Sequence, residues 1–444
     1  MNPKTVDIGQ VLDGGAYTGF QKRVFILAAL AIVMDGFDGQ LIGYAIPTLL
    51  QEWGLSRNDF APTVAVGLVG MGLGSAFAGF FADRYGRRWA VILSVLTFGV
   101  ATGLIGLAEN LMQLTVLRFL AGLGIGGALP TATTLTAEFT PSRRRTLAIT
   151  ATIVCVPLGG MLSGLFASQV IPLYGWRWLF FGGGLLSLVL LVVLYRLLPE
   201  SPRFLVRHPE RASQLRQIMA KMGHHVPDDV TFTDQVEQEK EARSGVGALF
   251  ANGLGRDTLT IWLAFFMCLL TIYAAFSWLP TMLSAEGLSV SVASSGLAAY
   301  NMGGVLGALG CALLVTRFGS RIPLLICCAG GAISAFLLLG IDVTRSSGLL
   351  IFGIGVHGLF TNAVQSVMYP LCAYVYPTKI RATGTAMALV WGRLGTVVSA
   401  FAGAVLITLG GLTAYVIMLG VAMLLVLLAL AFTRNHIPAR IRNE

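Results

Sequence analysis

The stretch that decides the fold is 24–50, VFILAALAIVMDGFDGQLIGYAIPTLL, an apolar run whose only charged residues are Asp35 and Asp38. At about 1.5 Å per residue it is about 40 Å long as a helix, enough to cross a hydrocarbon core of about 30 Å with tilt. A charge at that depth costs roughly 2.5 to 3.5 kcal/mol, so an acidic pair there predicts a functional site. The spacing places the two side chains about 60° apart, towards one cavity or one neighbouring helix. Alternatively, both carboxylates serve as caps or interhelical hydrogen-bond acceptors beside the adjacent glycines.

The composition excludes a soluble protein. Hydrophobic residues make up 55% of the 444 residues and charged residues only 11%. Apolar runs long enough to cross a bilayer recur along the chain, which predicts an all-α integral membrane protein with twelve transmembrane helices. The first run is too long for a signal-peptide core, so we expect it to remain as helix 1. The predicted spans are 24–50, 62–82, 89–108, 111–138, 146–171, 177–198, 258–284, 291–315, 322–341, 347–375, 382–409 and 411–433.

The distribution of lysine and arginine predicts the orientation. With both termini in the cytoplasm, only Arg57, Arg177 and Arg345 lie outside, and only Arg118 and Arg393 lie within the membrane. The rest of the 30 basic residues fall in cytoplasmic segments. Because cytoplasmic loops are enriched in these residues, the topology is predicted to be N-in and C-in.

Nothing in the sequence indicates an enzyme or a bound cofactor. We interpret the six cysteines as packing residues because all lie in apolar spans without metal-ligand spacing. No nucleophile, metal cluster or nucleotide-binding loop stands out, so we predict no cofactor and no metal. The formal charge of +9 is explained by orientation and contact with the lipid bilayer, and no nucleic-acid partner is predicted.

A long polar segment, 199–256, separates six spans from six. It predicts three parts: an N-terminal bundle at 1–198, a cytoplasmic linker at 199–256 and a C-terminal bundle at 257–444. The acidic run 228–241 and the other charges of the linker fit one or two amphipathic surface helices. A solvated linker is the simpler interpretation, and regulation or partner binding is the alternative.

The two halves repeat the same loops. DRYGRR at 83–88 follows span 2, and TRFGSR at 316–321 follows span 8. TPSRRR at 140–145 follows span 4, and YPTKIR at 376–381 follows span 10. Parallel six-helix repeats about an axis along the membrane normal form a central cavity at their interface, the geometry of alternating access.

These loops resemble the major facilitator superfamily over nearly the whole chain. The segment 79–88 is similar to the loop 2–3 signature of the superfamily, and LRFLAGLG at 117–124 is similar to its helix 4 signature, whose arginine is here Arg118. LPESPRF at 198–204 resembles the motif that closes helix 6. Together the three motifs are highly specific, and they imply two six-helix bundles around a substrate cavity.

Within the superfamily, the DGFD run resembles the aromatic acid:proton symporter family, carriers of benzoate, hydroxybenzoate, hydroxyphenylpropionate and related acids. RATG at 381–384, WGRLG at 391–395 and SWLP at 277–280 resemble the same family. Sugar porters share the motif after helix 6, but the paired glutamines expected in their helix 7 are absent. The resemblance therefore implies a proton-coupled importer of an aromatic carboxylic acid.

The residues themselves support this chemistry. Counted from the ends of their spans, Asp35, Arg118 and Arg393 all fall near the middle of the membrane. An arginine offers a planar fork to a carboxylate, and a carboxyl group withdrawn from water binds a proton more readily. We predict Asp35 and Asp38 as proton-coupling residues and Arg118 and Arg393 as substrate-binding residues. The alternative is internal ion pairing, for example of Asp35 or Asp38 with Arg118.

An aromatic substrate needs a wall with aromatic and polar patches. Span 10 carries His357, Thr361 and Gln365 at a spacing of four, followed by Tyr369. We expect a substrate-binding role for a set drawn from four spans, namely His357, Gln365, Tyr44, Tyr273 and Trp391. The glycines of 122–127 and 159–160 are expected to permit close helix packing.

The charges after spans 2 and 4 predict a cytoplasmic gate. Glu138 lies about 30 Å from Arg118 along span 4, at the level of the loop after span 2. We predict a gate of Asp83, Arg84, Arg88, Glu138 and Arg145, and interpret Arg87, Arg143 and Arg144 as orienting charges. The second half has Thr316 for Asp83 and Tyr374 for Glu138, so the gate is expected to be asymmetric.

The sequence and the resemblance thus predict a symporter of the inner membrane of a bacterium that imports a small aromatic carboxylate with H⁺ by alternating access. No obligatory protein partner is evident. Two alternatives stay open: a carrier of a non-aromatic organic acid such as a muconate, and a transporter-like sensor for aromatic acids.

Overall fold

The computed structural model of the chain describes residues 5–15, 17–224, 231–233, 246–251, 253–343, 345–377 and 380–439. Within these residues eleven helices are long and apolar enough to cross a membrane. One of them, Arg381–Phe432, has 52 residues and contains non-helical backbone at Gly410 and Gly411. Gly411 has φ 56° and ψ −142°, a conformation that glycine adopts far more readily than other residues, so two helices meet at this point. The prediction of twelve membrane helices is therefore confirmed.

We number the membrane helices α1 to α12. They are α1 Gly19–Trp53, α2 Arg57–Tyr85, α3 Arg87–Ile105, α4 Leu111–Phe139, α5 Ser142–Tyr174, α6 Trp176–Leu197, α7 Gly255–Ala285, α8 Val290–Phe318, α9 Arg321–Leu338, α10 Ser347–Val375, and the two parts of Arg381–Phe432, α11 at 381–409 and α12 at 412–432. Shorter elements are the helices Ile8–Gly14, Pro202–Val206 and Ala212–Lys221, the 3-10 turns Pro209–Arg211 and Val246–Phe250, and the parallel strands β1 Thr5–Asp7 and β2 Thr231–Thr233.

Capping residues explain where several membrane helices begin. Thr18 precedes α1 and forms a capping box with Gln21, and Ser56 does the same with Asp59 before α2. Such boxes satisfy backbone N–H groups that have no partner inside the helix. The break between α2 and α3 is a single residue, Gly86, whose φ is 109°. Short connections of this kind place consecutive helices antiparallel to one another.

The helix packing repeats between the two halves. In the first half α1 packs against α5, α2 and α3 against α4, and α3 against α6. The same pairs recur six helices later, as α7 with α11, α8 and α9 with α10, and α9 with α12. The internal repeat seen in the loops thus extends to the arrangement of the helices.

Glycines allow the closest of these contacts, as predicted. A Cβ atom at Gly122 or Gly126 of α4 would collide with the backbone of α2. A Cβ atom at Gly159 of α5 would collide with the backbone of α1, and one at Gly358 of α10 with the backbone of α8. Close approach of this kind strengthens van der Waals packing, which drives helix association in a membrane.

The linker between the halves is partly described. Its first part contains the helices Pro202–Val206 and Ala212–Lys221, and in the second of these Leu215, Ile218 and Met219 are buried. Apart from 231–233, the acidic run 228–241 lies outside the described residues.

Candidate functional site

A cavity lies between the two halves, and side chains from both bundles line it. Its first-half wall is Asp35, Gly36, Gly39, Gln40, Ile42, Val64, Leu68, Met71, Arg118, Ile125, Gly126, Leu129, Ile153, Val154, Val156 and Pro157. Its second-half wall is Tyr273, Phe276, Ser277, Ala308, Asn362, Gln365, Ser366, Tyr369 and Arg393.

Asp35 lies on the wall of this cavity and is almost completely buried. Its Oδ1 atom has no hydrogen-bond partner. The next residue, Gly36, brings α1 so close to α5 that a Cβ atom would collide with the carbonyl of Val156. A buried carboxylate oxygen without a partner is costly, so this group is suited to exchange a proton or to face a ligand.

Asp38 does not line the cavity. It is fully buried between α1 and α6, where the hydroxyl of Ser187 donates a hydrogen bond to Oδ2 at 2.8 Å. Its Oδ1 atom has no partner. The rotation of about 60° between Asp35 and Asp38 is enough to separate a residue of the cavity from a residue of the helix interface.

Arg118 on α4 is buried, with 4% of its surface exposed, and it lines the cavity. Its Nε and Nη1 atoms have no hydrogen-bond partner. A guanidinium group with unused donors beside an open space is a ready site for a carboxylate, which accepts two parallel hydrogen bonds from this fork.

Arg393 on α11 reaches across the cavity to the first half. Its Nη1 atom lies 3.0 Å from the sulfur of Met71 and 3.4 Å from the hydroxyl of Tyr273. The Tyr273 hydroxyl in turn lies 3.4 Å from the same sulfur. These are weak or neutral acceptors, and within the described residues no anion is in contact with the positive charge of Arg393.

The four charged residues form two pairs that attract each other at a distance. Asp35 is coupled electrostatically to Arg393, and Asp38 to Arg118. Within the described residues no ion pair with N···O of 4.0 Å or less joins either of these carboxylates to an arginine. The direct ion pair considered as an alternative is therefore absent from this conformation.

Three of the residues predicted to bind substrate lie away from the cavity, and helix geometry explains each case. Tyr44 is about 180° around α1 from Asp35, and it donates a hydrogen bond to the carbonyl of Gly160 at 2.8 Å. Trp391 is about 160° around α11 from Arg393, and it stacks on Trp262 with ring centroids 5.4 Å apart.

His357 is the third such residue. Its Nδ1 atom lies 3.0 Å from the carbonyl of Gly331 and 3.1 Å from the hydroxyl of Ser334, both on α9. Residues four apart rotate by about 40° at each step, so His357 and Gln365 point about 80° apart. Gln365 lines the cavity and His357 does not. Asn362 and Ser366 share the cavity face of α10 with Gln365 and Tyr369. These two residues were not predicted from the sequence, because the prediction counted in steps of four from His357.

A cluster of charges lies at the end of the first half that is predicted to be cytoplasmic. The guanidinium of Arg87 lies 2.9 Å from Asp83 and 3.4 Å from Glu138, and the hydroxyl of Ser201 donates to Glu138. Arg87 is buried, although it was interpreted from the sequence as an orienting charge. We call Asp83, Arg87 and Glu138 the charge cluster.

The arginines predicted for this gate have other contacts. Arg84 is exposed over the ring of Tyr85, Arg88 donates to the carbonyl of Tyr195 at 2.6 Å, and Arg145 donates to the carbonyl of Ala137 at 3.2 Å. The turn at Gly86 decides this assignment, because it starts a new helix at Arg87 and directs that side chain inwards. The contacts of the charge cluster described here join helices of the first half to one another and to Ser201 at the start of the linker.

Glu200, from the LPESPRF motif, closes the same end. Its Oε1 atom accepts hydrogen bonds from the backbone N–H groups of Arg88 at 3.0 Å and Ser201 at 2.9 Å. Burial raises the pKa of the Glu200 carboxyl group, and these hydrogen bonds lower it. The carboxylate thus caps the start of α3.

The comparisons with known proteins agree with this architecture. The chain matches the model of the Major Facilitator Superfamily over residues 28–354 and 261–444. It is 34% identical to the gallate transporter of Pseudomonas putida, over 91% of this chain and 90% of that protein. It is also 34% identical to the 4-hydroxybenzoate transporter PcaK of the same organism, over 92% of this chain and 91% of that protein.

A solved structure supports the fold alone. The partially occluded inward open xylose transporter XylE of Escherichia coli is similar with a TM-score of 0.75 and 19% identity, over 94% of this chain and 99% of XylE. The family match and the named transporters show that the chain is a multi-pass membrane transporter and not an enzyme. It belongs to the Major Facilitator Superfamily and, within it, to the family of aromatic acid transporters that its relatives represent.

Proposed function

We propose that the protein is a proton-coupled symporter that imports an aromatic carboxylic acid by alternating access. The observation that carries the proposal is the set of unsatisfied charges around one cavity. Arg118 has unpartnered donors, Arg393 has no anion in contact and Asp35 has an unpartnered carboxylate oxygen. The relatives named for gallate, 4-hydroxybenzoate and benzoate support the class of substrate.

The arginines are proposed to hold the substrate carboxylate. Both guanidinium groups line the cavity, one from each half, so an anion between them is contacted by both bundles. Apolar side chains such as Ile125, Leu129 and Val154 offer the aromatic ring a surface on the first-half side. Burial of a ring against such a wall is favourable, while the carboxylate fixes its orientation.

The balance of charges in the cavity indicates which residue binds the proton. Two aspartates and two arginines are neutral together, and a bound carboxylate adds one negative charge to a site that excludes most water. A proton on Asp35 compensates for that charge, because Asp35 is the carboxylate of the pair that lines the cavity. Binding of the anion and of the proton are thereby mutually favourable, which is what symport requires. Asp38 is proposed to influence the site indirectly, through its electrostatic attraction to Arg118.

Flux measurements on proteoliposomes test the proposal. Uptake of labelled 4-hydroxybenzoate or gallate should rise when the outside is acidified and should collapse with a protonophore. Uptake driven by a sodium gradient and unaffected by the protonophore would overturn proton symport. Binding of aromatic acids with negligible flux would instead indicate a sensor, and uptake of muconate without uptake of any aromatic acid would indicate a carrier of non-aromatic acids.

A further inference from the structure

We infer that the cavity face of α10, through Asn362 and Ser366, recognises a hydroxyl group on the ring of the substrate. The inference rests on the proposed function, because it concerns the same cavity and an aromatic acid bound there. Asn362 and Ser366 are both buried, and both line the cavity. They are four residues apart and therefore lie on one face of the helix.

The hydrogen bonds of these two side chains leave acceptors free. The hydroxyl of Ser366 donates to the carbonyl of Ala363 at 2.9 Å, so its oxygen lone pairs remain available. The Nδ2 atom of Asn362 donates to the carbonyl of Gly358 at 3.0 Å, which fixes the amide orientation and leaves Oδ1 as an acceptor. Two acceptors on a buried face suit a phenolic hydroxyl, which is a hydrogen-bond donor.

The first-half wall of the cavity offers fewer neutral polar groups to a ring hydroxyl. On the first-half wall the polar side chains are the charged Asp35 and Arg118 and the amide of Gln40. That amide is already engaged on both sides with Asn301. A ring whose carboxylate lies between the two arginines can therefore be distinguished by its substituents mainly along the second half.

Matched ligands separate donation from size. A methoxy group has the oxygen of a hydroxyl group but no proton to donate. Wild type should bind 4-hydroxybenzoate or 3-hydroxybenzoate more tightly than the corresponding methoxybenzoate and than benzoate, measured by calorimetry on purified protein. In Ser366→Ala or Asn362→Leu the affinity for the hydroxylated acid should fall about two- to tenfold, as expected for one neutral hydrogen bond, while that for benzoate is retained.

His357→Gln provides the control, because His357 is on the same helix but faces away from the cavity. It should leave the preference for the hydroxylated acid unchanged. Equal losses for benzoate and its hydroxylated forms in Ser366→Ala and Asn362→Leu would overturn the inference. So would a preference that is lost in His357→Gln and kept in the other two variants. If wild type bound no aromatic acid at all, the proposed function itself would fail.

A second, independent observation concerns the opposite wall. The side chains of Gln40 on α1 and Asn301 on α8 exchange two hydrogen bonds across the halves, at 3.1 and 2.7 Å, and both residues are buried. We call them the outer amide pair, because each lies nearer the predicted external end of its helix than the cytoplasmic end. Nearby, a Cβ atom at Gly43 would collide with the carbonyl of Phe276 on α7.

The geometry points to the outer amide pair as the latch that holds the external side shut. Each amide satisfies the other while water is excluded, and both must separate when the halves part on that side. Removing one partner leaves a buried amide unsatisfied in the closed state only, because water hydrates it in the open state. Asn301→Leu should therefore shift the equilibrium towards the outward-open state by about fivefold or more.

Spin labels at the exposed positions Asn58 and Ala285, on the external ends of the two halves, report this shift as a longer distance by double electron–electron resonance. The double variant Gln40→Leu with Asn301→Leu should restore the short distance, since no unsatisfied amide remains. Thr63→Val, which removes a hydrogen bond between α2 and α4 within the first half, should leave the distance unchanged. An Asn301→Leu distribution equal to wild type, or a double variant as open as Asn301→Leu, would overturn the latch.

Discussion

The two halves share their helix packing but differ in the chemistry they bring to the cavity. The first half supplies the carboxylate of Asp35, the guanidinium of Arg118 and an otherwise largely apolar wall. The second half supplies Arg393 together with tyrosine, amide and hydroxyl groups such as Tyr273 and Asn362. Duplication thus preserved the scaffold while the side chains diverged. The difference supports the proposal that the first half carries the proton site and the second half supplies the groups that distinguish ring substituents, while arginines from both halves hold the carboxylate.

The ends of the halves that are predicted to be cytoplasmic diverge in the same way. In the first half Arg87 joins two carboxylates, and Glu200 caps α3. The position aligned with Arg87 in the second copy is Ser320, whose N–H donates to the carbonyl of Ile437 at 2.8 Å and whose hydroxyl accepts from the N–H of Ile437 at 2.9 Å. At this end the first half is held by ion pairs of Arg87, whereas the second half is held by hydrogen bonds between Ser320 and the C-terminal segment.

The largest expected effect concerns Asp35. Asp35→Asn should abolish accumulation of substrate against a gradient, because an amide cannot carry the proton that restores charge balance. Exchange of internal for external substrate should persist, since the carrier then never returns empty. Asp38→Asn should reduce accumulation as well, but through the position and charge of Arg118. Full uphill uptake by Asp35→Asn would remove the first half from the coupling mechanism.

The charge cluster provides the next largest effect. Arg87→Gln leaves Glu138 buried without its cation, and breaking a buried pair in this way costs about 3 to 5 kcal/mol of stability. Thermal unfolding in detergent should show a clear loss of melting temperature. Asp83→Asn is the control, because the Asp83 side chain is 64% exposed and such a surface pair is worth about 1 kcal/mol or less. An equal loss of melting temperature in the two variants would show that the buried pair of Arg87 with Glu138 contributes no more stability than the exposed pair with Asp83.

Arg393 tests recognition by the second half. Arg393→Lys keeps the charge but loses the planar fork, so affinity for the aromatic acid should fall by roughly 1.5 to 3 kcal/mol, the worth of a hydrogen bond to a charged group. Arg393→Ala should lose more. The uncharged amide of the same acid should bind wild type poorly and be little affected by either change. If Arg393→Lys binds the acid as well as wild type does, Arg393 is a counter-ion for Asp35. Arg118 is then the better candidate for the residue that binds the substrate carboxylate.

The smallest effect is expected at the position that corresponds to Arg87. Ser320→Ala removes two hydrogen bonds to the C-terminal segment, with the N–H of Ile437 at 2.9 Å and with Nδ1 of His436 at 3.3 Å. Since the second bond is long, the cost in stability should be about 0.5 to 1.5 kcal/mol. Because no ion pair is lost, the cost should not change with ionic strength, and it should stay below the cost of Arg87→Gln, whose buried pair with Glu138 is only weakly screened by salt. A strong salt dependence of Ser320→Ala would contradict the distinction between the two ends.

Helix number and repeat were predictable from the sequence, because span length and loop motifs act locally. Apolar run lengths gave twelve helices, and the cavity positions of Asp35, Arg118 and Arg393 followed from counting along the spans. Rotation about each helix axis was harder. Tyr44 lies on the side of α1 opposite Asp35, and Trp391 lies on the side of α11 opposite Arg393. A rotation of 100° per residue along each helix predicts both positions away from the cavity.

Other features depend on tertiary contacts that one sequence does not contain. Arg87 joins the charge cluster because the turn at Gly86 directs its side chain towards Glu138. The sequence alone does not single out Arg87, because the neighbouring Arg84 and Arg88 carry the same charge. Asn301 pairs with Gln40 from the other half of the chain, without a local motif. The C-terminal segment that binds Ser320 was outside every predicted span.

The most direct test is proton movement coupled to substrate flux. Proteoliposomes with a pH-sensitive dye inside should acidify when 4-hydroxybenzoate is added outside to wild type, beyond the change in protein-free liposomes. Asp35→Asn should show no coupled acidification under the same conditions, although it still exchanges labelled substrate. Acidification by Asp35→Asn equal to that of wild type would contradict the claim that this carboxylate couples the proton to the acid.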